Sequence, residues 1–166
     1  MIYEVPAAAE PLSQGDILDE VPLLVWESPA GAPESQPEST STCVRAVVLT
    51  QACDLAQEKA SRVLVAVVHR VQYLVERGML KPTMIRDQIR THRVYGWYFL
   101  PAGVVEESIV DLRDLHTMPR TLLDRLIQDG KRVARMQTPY REHLGQHFTA
   151  TYARIGLPGP YPSQPE

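Results

Sequence analysis

The sequence contains only two cysteines, Cys43 and Cys53, and they are too far apart to form a C-x-x-C pair. Two cysteines are too few for a disulfide scaffold, and without a paired motif they give little support to a zinc site. We therefore expect free thiols in a reducing compartment, and we expect neither a metal nor another cofactor.

The sequence also lacks a hydrophobic run of the roughly 20 residues that cross a bilayer. Its first ten residues have neither the basic start nor the apolar centre of a signal peptide. These absences predict a cytoplasmic protein with no membrane partner. Hydrophobic residues make up 44% of the 166 positions, which is enough for a buried core, and we expect a single domain over residues 1–166.

Basic residues are missing from the first 44 positions, which hold eight acids. The rest of the chain therefore carries all 17 lysines and arginines against 12 acids, although the net charge of the whole is −3. Such an asymmetry is typical of a basic surface for an anionic partner, but unevenly scattered surface charge produces it equally well.

What the sequence does contain is a pair of apolar, β-branched runs at 46–49 and 63–68. They predict two buried strands joined by about a dozen residues. Polar side chains lie at the strand ends, where a rigid strand gives way to a loop and where functional groups are often mounted. The residues concerned are Arg45, Cys53, Asp54 and His69.

Further elements are predicted along the chain. Residues 14–26 favour a strand, a turn and a second strand interrupted at Pro22, and the aromatic run 94–100 and residues 108–112 favour strands. We expect a mobile loop at 28–42, helices within 71–93 and from 139 to about 155, a strand or turn at 131–136 and a loose tail at 157–166. Five or six strands with a closing helix indicate a mainly β, α+β fold built as a small barrel.

The helical segment 71–93 is basic. Most charged helix faces are merely solvated, so this pattern alone does not establish a nucleic-acid site. If the segment does bind nucleic acid, the candidate residues are Arg70, Arg77, Lys81, Arg86 and Arg90.

Taken in order, several segments resemble the MazF/PemK (Kid-like) toxin family. QGDI at 14–17 is similar to its opening strand, VRAVVLT at 44–50 to the next and VLVAVV at 63–68 to the third. SIVDLRDLHTM at 108–118 and GKRVAR at 130–135 resemble two later segments. No single motif is specific, and the ordered series carries the resemblance.

The resemblance implies an SH3-like, PemK-type β-barrel with an inserted helical segment at 71–93 and a C-terminal helix. It further implies a homodimer and a metal-independent endoribonuclease that acts on single-stranded RNA, with an antitoxin-like protein partner. The alternative is a catalytically inactive barrel of the same ancestry, which serves as a binding or assembly module or complex subunit in bacterial defence or regulation.

The sequence departs from the family at positions that bear on catalysis. The family's Arg-Pro is Arg45-Ala46 here, His69 stands where Thr or Ser is usual, and Asp111 and Arg113 occur in the reverse of the family's order. Metal-free RNA cleavage needs a base, an acid and a cation for the phosphorane. Arg45 suits the role of the cation, and His69 suits that of the acid or base. Asp111 and Arg113 could orient His69 or share its work.

Structural alternatives stay open at each position. Arg45 could form a strand-end salt bridge with an acid such as Asp54, and His69 could be a partly buried, hydrogen-bonded ring. Cys53 is a nucleophile only if a histidine lies within hydrogen-bond reach, and otherwise a small apolar residue. Asp54 could equally be the N-cap of a short helix.

Overall fold

The computed structural model of the chain describes residues 1–27 and 38–153. Its centre is one antiparallel sheet with the strand order β1-β7-β2-β3-β4-β6-β5. The strands are β1 Tyr3–Glu4, β2 Asp16–Glu27, β3 Glu38–Val48, β4 Arg62–Arg70, β5 Trp97–Leu100, β6 Ser108–Pro119 and β7 Arg132–Met136.

Short helices connect or flank the strands. They are α1 Ala52–Ala56, α2 Val71–Glu76, α3 Pro82–Met84, α4 Arg120–Gln128 and α5 Tyr140–Tyr152, and α3 continues into a π-helical turn at Ile85–Ile89. No helix in the described ranges has both the length and the apolar character that a membrane span requires. The predicted α+β class, dominated by antiparallel strands, is confirmed.

The sheet buries side chains on both faces. One face packs Ile17, Val47 and Leu112 against Leu144 of α5. The opposite face is covered in two parts: α4 packs over one end, and α2 with the π-helical turn packs over the other. Because successive strand residues point to opposite faces, the continuous apolar run in β4 is explained by burial on both sides.

The two edges of the sheet approach each other. Tyr3 on the edge strand β1 donates a hydrogen bond of 2.9 Å from its hydroxyl to the carbonyl of Pro101, which directly follows the other edge strand, β5. In the described ranges β1 and β5 share no backbone ladder, so the sheet curls without closing.

Several local predictions need correction. Residues 16–27 form one strand, not two, and it accommodates Pro22 because β7 pairs only with its first three residues and leaves an edge free beyond them. Residues 38–42 belong to β3 and not to a loop, whereas 28–37 and the tail at 157–166 lie outside the described residues. There are seven strands, and KRVARM at 131–136 contributes one of them.

A buried ion cluster attaches the N-terminal segment to β7. Asp16, which is fully buried, accepts hydrogen bonds from Arg135 Nε at 2.6 Å and from Arg132 Nη1 at 3.2 Å. Both guanidinium groups also donate to the backbone carbonyl of Pro11. The predicted GDI strand therefore begins at Asp16, a carboxylate whose role is to hold the N-terminal segment against β7.

Candidate functional site

Arg45 is the candidate phosphate ligand, and its guanidinium is held by two carboxylates. Nε and Nη2 donate to Asp19 at 2.5 and 2.9 Å, and Nη1 donates to Glu106 at 2.6 Å. The hydrogen bonds to Asp19 are the main cause of a raised pKa for Arg45, and the bond from Arg45 lowers the pKa of Glu106. The strand-end salt bridge thus exists, but with Asp19 and Glu106 and not with Asp54.

His69 lies on the other face of the sheet from Arg45. Arg45 is opposite Val68 in the β3–β4 ladder, so the two share a face, and His69, the next residue, points the other way. The His69 ring stacks on Tyr73 of α2, with 6.2 Å between centroids and 13° between planes. The structure does not bring these two predicted catalytic residues together.

Asp111 and Arg113 bind each other. Arg113 donates from Nε and Nη2 to the two carboxylate oxygens of Asp111 at 2.9 and 3.0 Å, and this pairing is the main cause of a raised pKa for Arg113. Its guanidinium carbon lies 4.0 Å from the centre of the Trp97 ring. Gly96 makes room for this side chain, because a Cβ there would lie 2.9 Å from Arg113 Cδ.

A bulge in β6 creates this arrangement. Val67 is opposite Asp111, whereas its neighbour Ala66 is opposite Leu115, so β6 contains three extra residues between the two pairs. Bulges re-aim side chains and are common beside functional sites.

The last residue of the bulge, Asp114, belongs to a pair that the sequence interpretation missed. His116 Nε2 and Asp114 Oδ1 are 2.8 Å apart, and the His116 side chain is 29% exposed. The signal was the Asp-x-His spacing, since side chains two positions apart on a strand share a face. A carboxylate that orients a partly exposed imidazole is an arrangement suited to acid–base chemistry.

Cys53 lies in the α1–α5 cleft, which we define as the space of about 720 Å³ between the start of α1 and the face of α5. Its thiol is exposed and lies 3.6 Å from Gln51 Oε1 and 3.9 Å from Asp54 Oδ1. No histidine of the described residues lines this cleft, so the thiol lacks the imidazole partner that the nucleophile interpretation requires. Asp54 is in the first turn of α1 and is not its N-cap, which is Gln51. Within residues 1–27 and 38–153, no group of three or more His, Cys, Asp or Glu side chains could hold a metal ion.

The predicted nucleic-acid-binding residues divide into those that form a salt bridge with a carboxylate and those that do not. Arg70 pairs with Glu106 at 3.1 Å, Arg86 with Asp87 at 2.7 Å and Arg90 with Glu107. Lys81 and Arg77 have no carboxylate partner among the described residues. The guanidinium of Arg77 lies over the Tyr73 ring, 5.5 Å from its centre.

Tyr73 therefore contacts both His69 and Arg77, and its side chain is 45% exposed. We call these three residues the aromatic–arginine cluster. It is at the junction of β4 and α2, where the chain leaves the sheet. Exposed aromatic rings beside an unpaired cation can stack a nucleobase and attract a phosphate.

Histidines also gather beside α5, a second feature that the sequence interpretation missed. The His92 ring stacks on Tyr98 at 4.9 Å and lies 5.8 Å from that of His147. Burial, followed by repulsion from His147 and His143, lowers the pKa of His92, and burial raises the pKa of Tyr98 to about 12. The histidines have no regular spacing in the sequence from which this cluster could be predicted.

Comparison with protein-family models and with curated proteins finds no match to this chain.

Proposed function

We propose that the chain is a non-catalytic module that binds single-stranded RNA, and that it is a divergent relative of the MazF/PemK proteins. The observation that carries this proposal is the aromatic–arginine cluster. Stacking of a base on an aromatic side chain is worth about 1–3 kcal/mol and tolerates any sequence. Tyr73 is 45% exposed and already stacks with His69 and Arg77, so a base can extend or replace that stack, and Arg77 is free of carboxylates beside it.

The absence of catalysis is supported by the separation of the reactive groups. Cleavage needs a base, an acid and a cation around one phosphate. Arg45 is neutralised by two carboxylates on one face of the sheet, whereas His69 points to the other face. Arg113 is held by the buried Asp111.

The family relationship is supported by where the five similar segments lie. They overlap β2, β3, β4, β6 and β7, which are contiguous in the sheet order β7-β2-β3-β4-β6. The contact between Tyr3 and Pro101 brings the sheet edges together, as a curled, SH3-like barrel would require. A homodimer, an antitoxin-like protein partner and a cytoplasmic role in bacterial defence remain predictions from the resemblance.

A second candidate function, metal-independent endoribonuclease, is favoured by the bulge in β6. There the Asp114–His116 pair could supply acid–base catalysis, and Arg113 directly precedes the pair in the same strand with its side chain about half exposed. In this second candidate function the catalytic histidine is His116 and not His69.

Binding is tested by fluorescence anisotropy with a labelled, unstructured 20-nucleotide RNA. Tyr73→Ala and Arg77→Ala should each weaken binding by about five- to a hundredfold, which corresponds to the loss of one stacked base. The matched control is Arg86→Ala, because Arg86 is an exposed arginine of the same segment that already pairs with Asp87. Binding by the wild-type protein that none of the three substitutions changes would refute the role of the cluster.

Catalysis is tested on a long RNA in the presence of EDTA. The proposal expects no cutting at high protein concentration and no growth arrest on expression. Specific cuts that persist in Arg45→Ala but disappear in His116→Ala would instead establish the second candidate. Cuts lost in both Arg45→Ala and His69→Ala would contradict both versions, since those residues point to opposite faces of the sheet.

A further inference from the structure

β2 and β3 extend beyond the rest of the sheet as a two-stranded arm, which we define as Val21–Glu27 paired with Glu38–Val44. β7 pairs with β2 only as far as Leu18, and a bulge at Asp19 and Glu20 lies where the two strands separate. In the described ranges, β3 is the sole strand that pairs with β2 beyond the bulge. The outer edge of β2 in the arm is therefore open.

The arm exposes large apolar side chains. Trp26 and Leu24 are 63% and 55% exposed, and Val25 is 37% exposed. Side chains two positions apart on a strand share a face, so Leu24 and Trp26 form one stripe with Pro22. An open strand edge with an apolar face is a template for pairing with another strand, and proteins commonly block such an edge with lysine. The arm contains neither lysine nor arginine.

Pro22 indicates which backbone groups face the open edge. Proline has no N–H, and a paired strand tolerates it where its nitrogen points away from the ladder. Alternate residues of an antiparallel strand direct their N–H and C=O groups to the same side. The open edge therefore presents the carbonyl of Pro22 and both backbone groups of Leu24 and Trp26, and these groups need hydrogen-bond partners.

We propose that the arm pairs with the arm of a second copy of this chain, antiparallel and about a two-fold axis at Leu24. Leu24 then lies opposite Leu24 of the second copy, and Trp26 lies opposite its Pro22. The N–H of Leu24 donates to the Leu24 carbonyl of the second copy, and the N–H of Trp26 donates to its Pro22 carbonyl. The stripe is self-complementary, because the indole packs on a proline and the leucine on a leucine.

Charge at the two ends of the arm favours this arrangement. Glu27 and Glu38 lie directly opposite each other at the outer end, where like charges repel. Lys131 lies where β7 stops, since its carbonyl accepts a hydrogen bond of 2.9 Å from the Asp19 N–H. In the two-fold pairing the outer end of one arm reaches the base of the other, so Glu27 approaches Lys131 of the second copy. Lys131 binds Glu20 at 2.6 Å, and its ammonium has further N–H groups for a second carboxylate.

The exposed apolar area sets the strength of the dimer. From their exposed fractions and the usual size of such side chains, Leu24, Val25 and Trp26 expose on the order of 300 Å² in each copy. With the backbone edges added, the interface approaches the lower limit of about 1,200 Å² for stable complexes. We therefore expect a dissociation constant on the order of 10–100 µM.

Sedimentation velocity of the full chain from about 1 to 300 µM should show a shift from monomer to dimer. Leu24→Arg puts like charges opposite each other at the axis and should raise the dissociation constant at least about tenfold. The matched control is Met79→Arg, because Met79 is 56% exposed and lies outside the arm. A chain that stays monomeric at the highest concentration would overturn the proposal and leave the arm to a strand of a different protein. A dimer that Leu24→Arg leaves intact forms through another surface and would overturn it too.

Cysteine cross-linking tests the two-fold register, in a background that carries Cys43→Ser and Cys53→Ser. Leu24→Cys places its two thiols at the axis, where opposite strand residues have Cα atoms about 4.5–5.5 Å apart, within disulfide range. Mild oxidation should yield a covalent dimer. The matched control is Ser41→Cys, since Ser41 lies opposite Leu24 within the arm and its two copies would be roughly 14 Å apart. It should cross-link at least tenfold more slowly. Equal rates for the two variants, or no dimer with Leu24→Cys, would refute the register.

Discussion

Asp16→Asn should be among the most destabilising single substitutions in this protein, although it removes only one charge. The carboxylate of Asp16 is fully buried, and the side chains of Arg132 and Arg135 that bind it are 3% and 10% exposed. Asparagine keeps the volume but leaves the buried Arg132 without a counter-charge among the described residues, and leaves Arg135 only the more exposed carboxylates of Glu10 and Glu4. Removing one partner of a buried ion pair costs about 3–5 kcal/mol.

For a domain of this size, each 1 kcal/mol lowers Tm by about 2–4 °C, so the expected fall is about 6–20 °C. Equilibrium urea unfolding measures the free energy directly, with an unchanged m-value as evidence that the unfolded state is not altered. The matched control is Asp54→Asn at an exposed position of α1, which should change stability by less than about 0.5 kcal/mol. A loss below about 1 kcal/mol for Asp16→Asn would refute the view that this cluster holds the N-terminal segment to β7.

Three further substitutions probe separate parts of the fold. Arg45→Gln should cost about 1–3 kcal/mol by urea unfolding but change RNA affinity less than twofold, since its guanidinium is already occupied by carboxylates. Tyr3→Phe should lower Tm by about 2–4 °C, because it removes the hydrogen bond to Pro101, which is worth about 1 kcal/mol. An unchanged Tm would contradict the contact between the sheet edges. The pKa of His92 is lowered in the folded state, so the unfolded chain binds the proton more tightly. The free energy of unfolding should therefore fall as the pH drops below about 6.5. His92→Gln should flatten this fall in urea titrations from pH 7.5 to 5.

The strands of the centre were predictable because their signals are local. The β-branched runs in β3 and β4 specify buried strands wherever they lie in the fold, and Gly15, with φ of 82°, marks the turn into β2. Pro22 misled the interpretation because a proline breaks only a strand that is paired on both sides. Whether β2 has a neighbour there depends on the length of β7, which no local pattern encodes.

The candidate site was less predictable because its contacts are long-range. Arg45 finds its partners 26 residues before it and 61 residues after it, and the sequence could identify only the need for an acid. The α1–α5 cleft joins Gln14, Gln51 and Glu142 from three distant segments. The bulge in β6, which contains Asp114 of the Asp114–His116 pair, depends on the register against β4.

The charge asymmetry of the sequence is resolved within the fold. Acids from the first 44 residues are counter-ions for later basic groups: Asp16 for Arg132 and Arg135, and Asp19 for Arg45. The apparent basic excess after residue 44 is therefore partly neutralised internally.

This neutralisation limits how RNA can bind. Within 71–93, Arg77, Lys81 and Arg93 are the basic side chains without a carboxylate partner among the described residues. Each phosphate contact with a single strand contributes about −0.7 to the slope of log K against log salt, so three contacts predict a slope of about −2. Anisotropy titrations between 50 and 300 mM NaCl measure it. A slope of about −4 or steeper would mean that paired arginines such as Arg70 and Arg90 exchange their carboxylates for phosphates, and stacking on Tyr73 would then no longer dominate recognition.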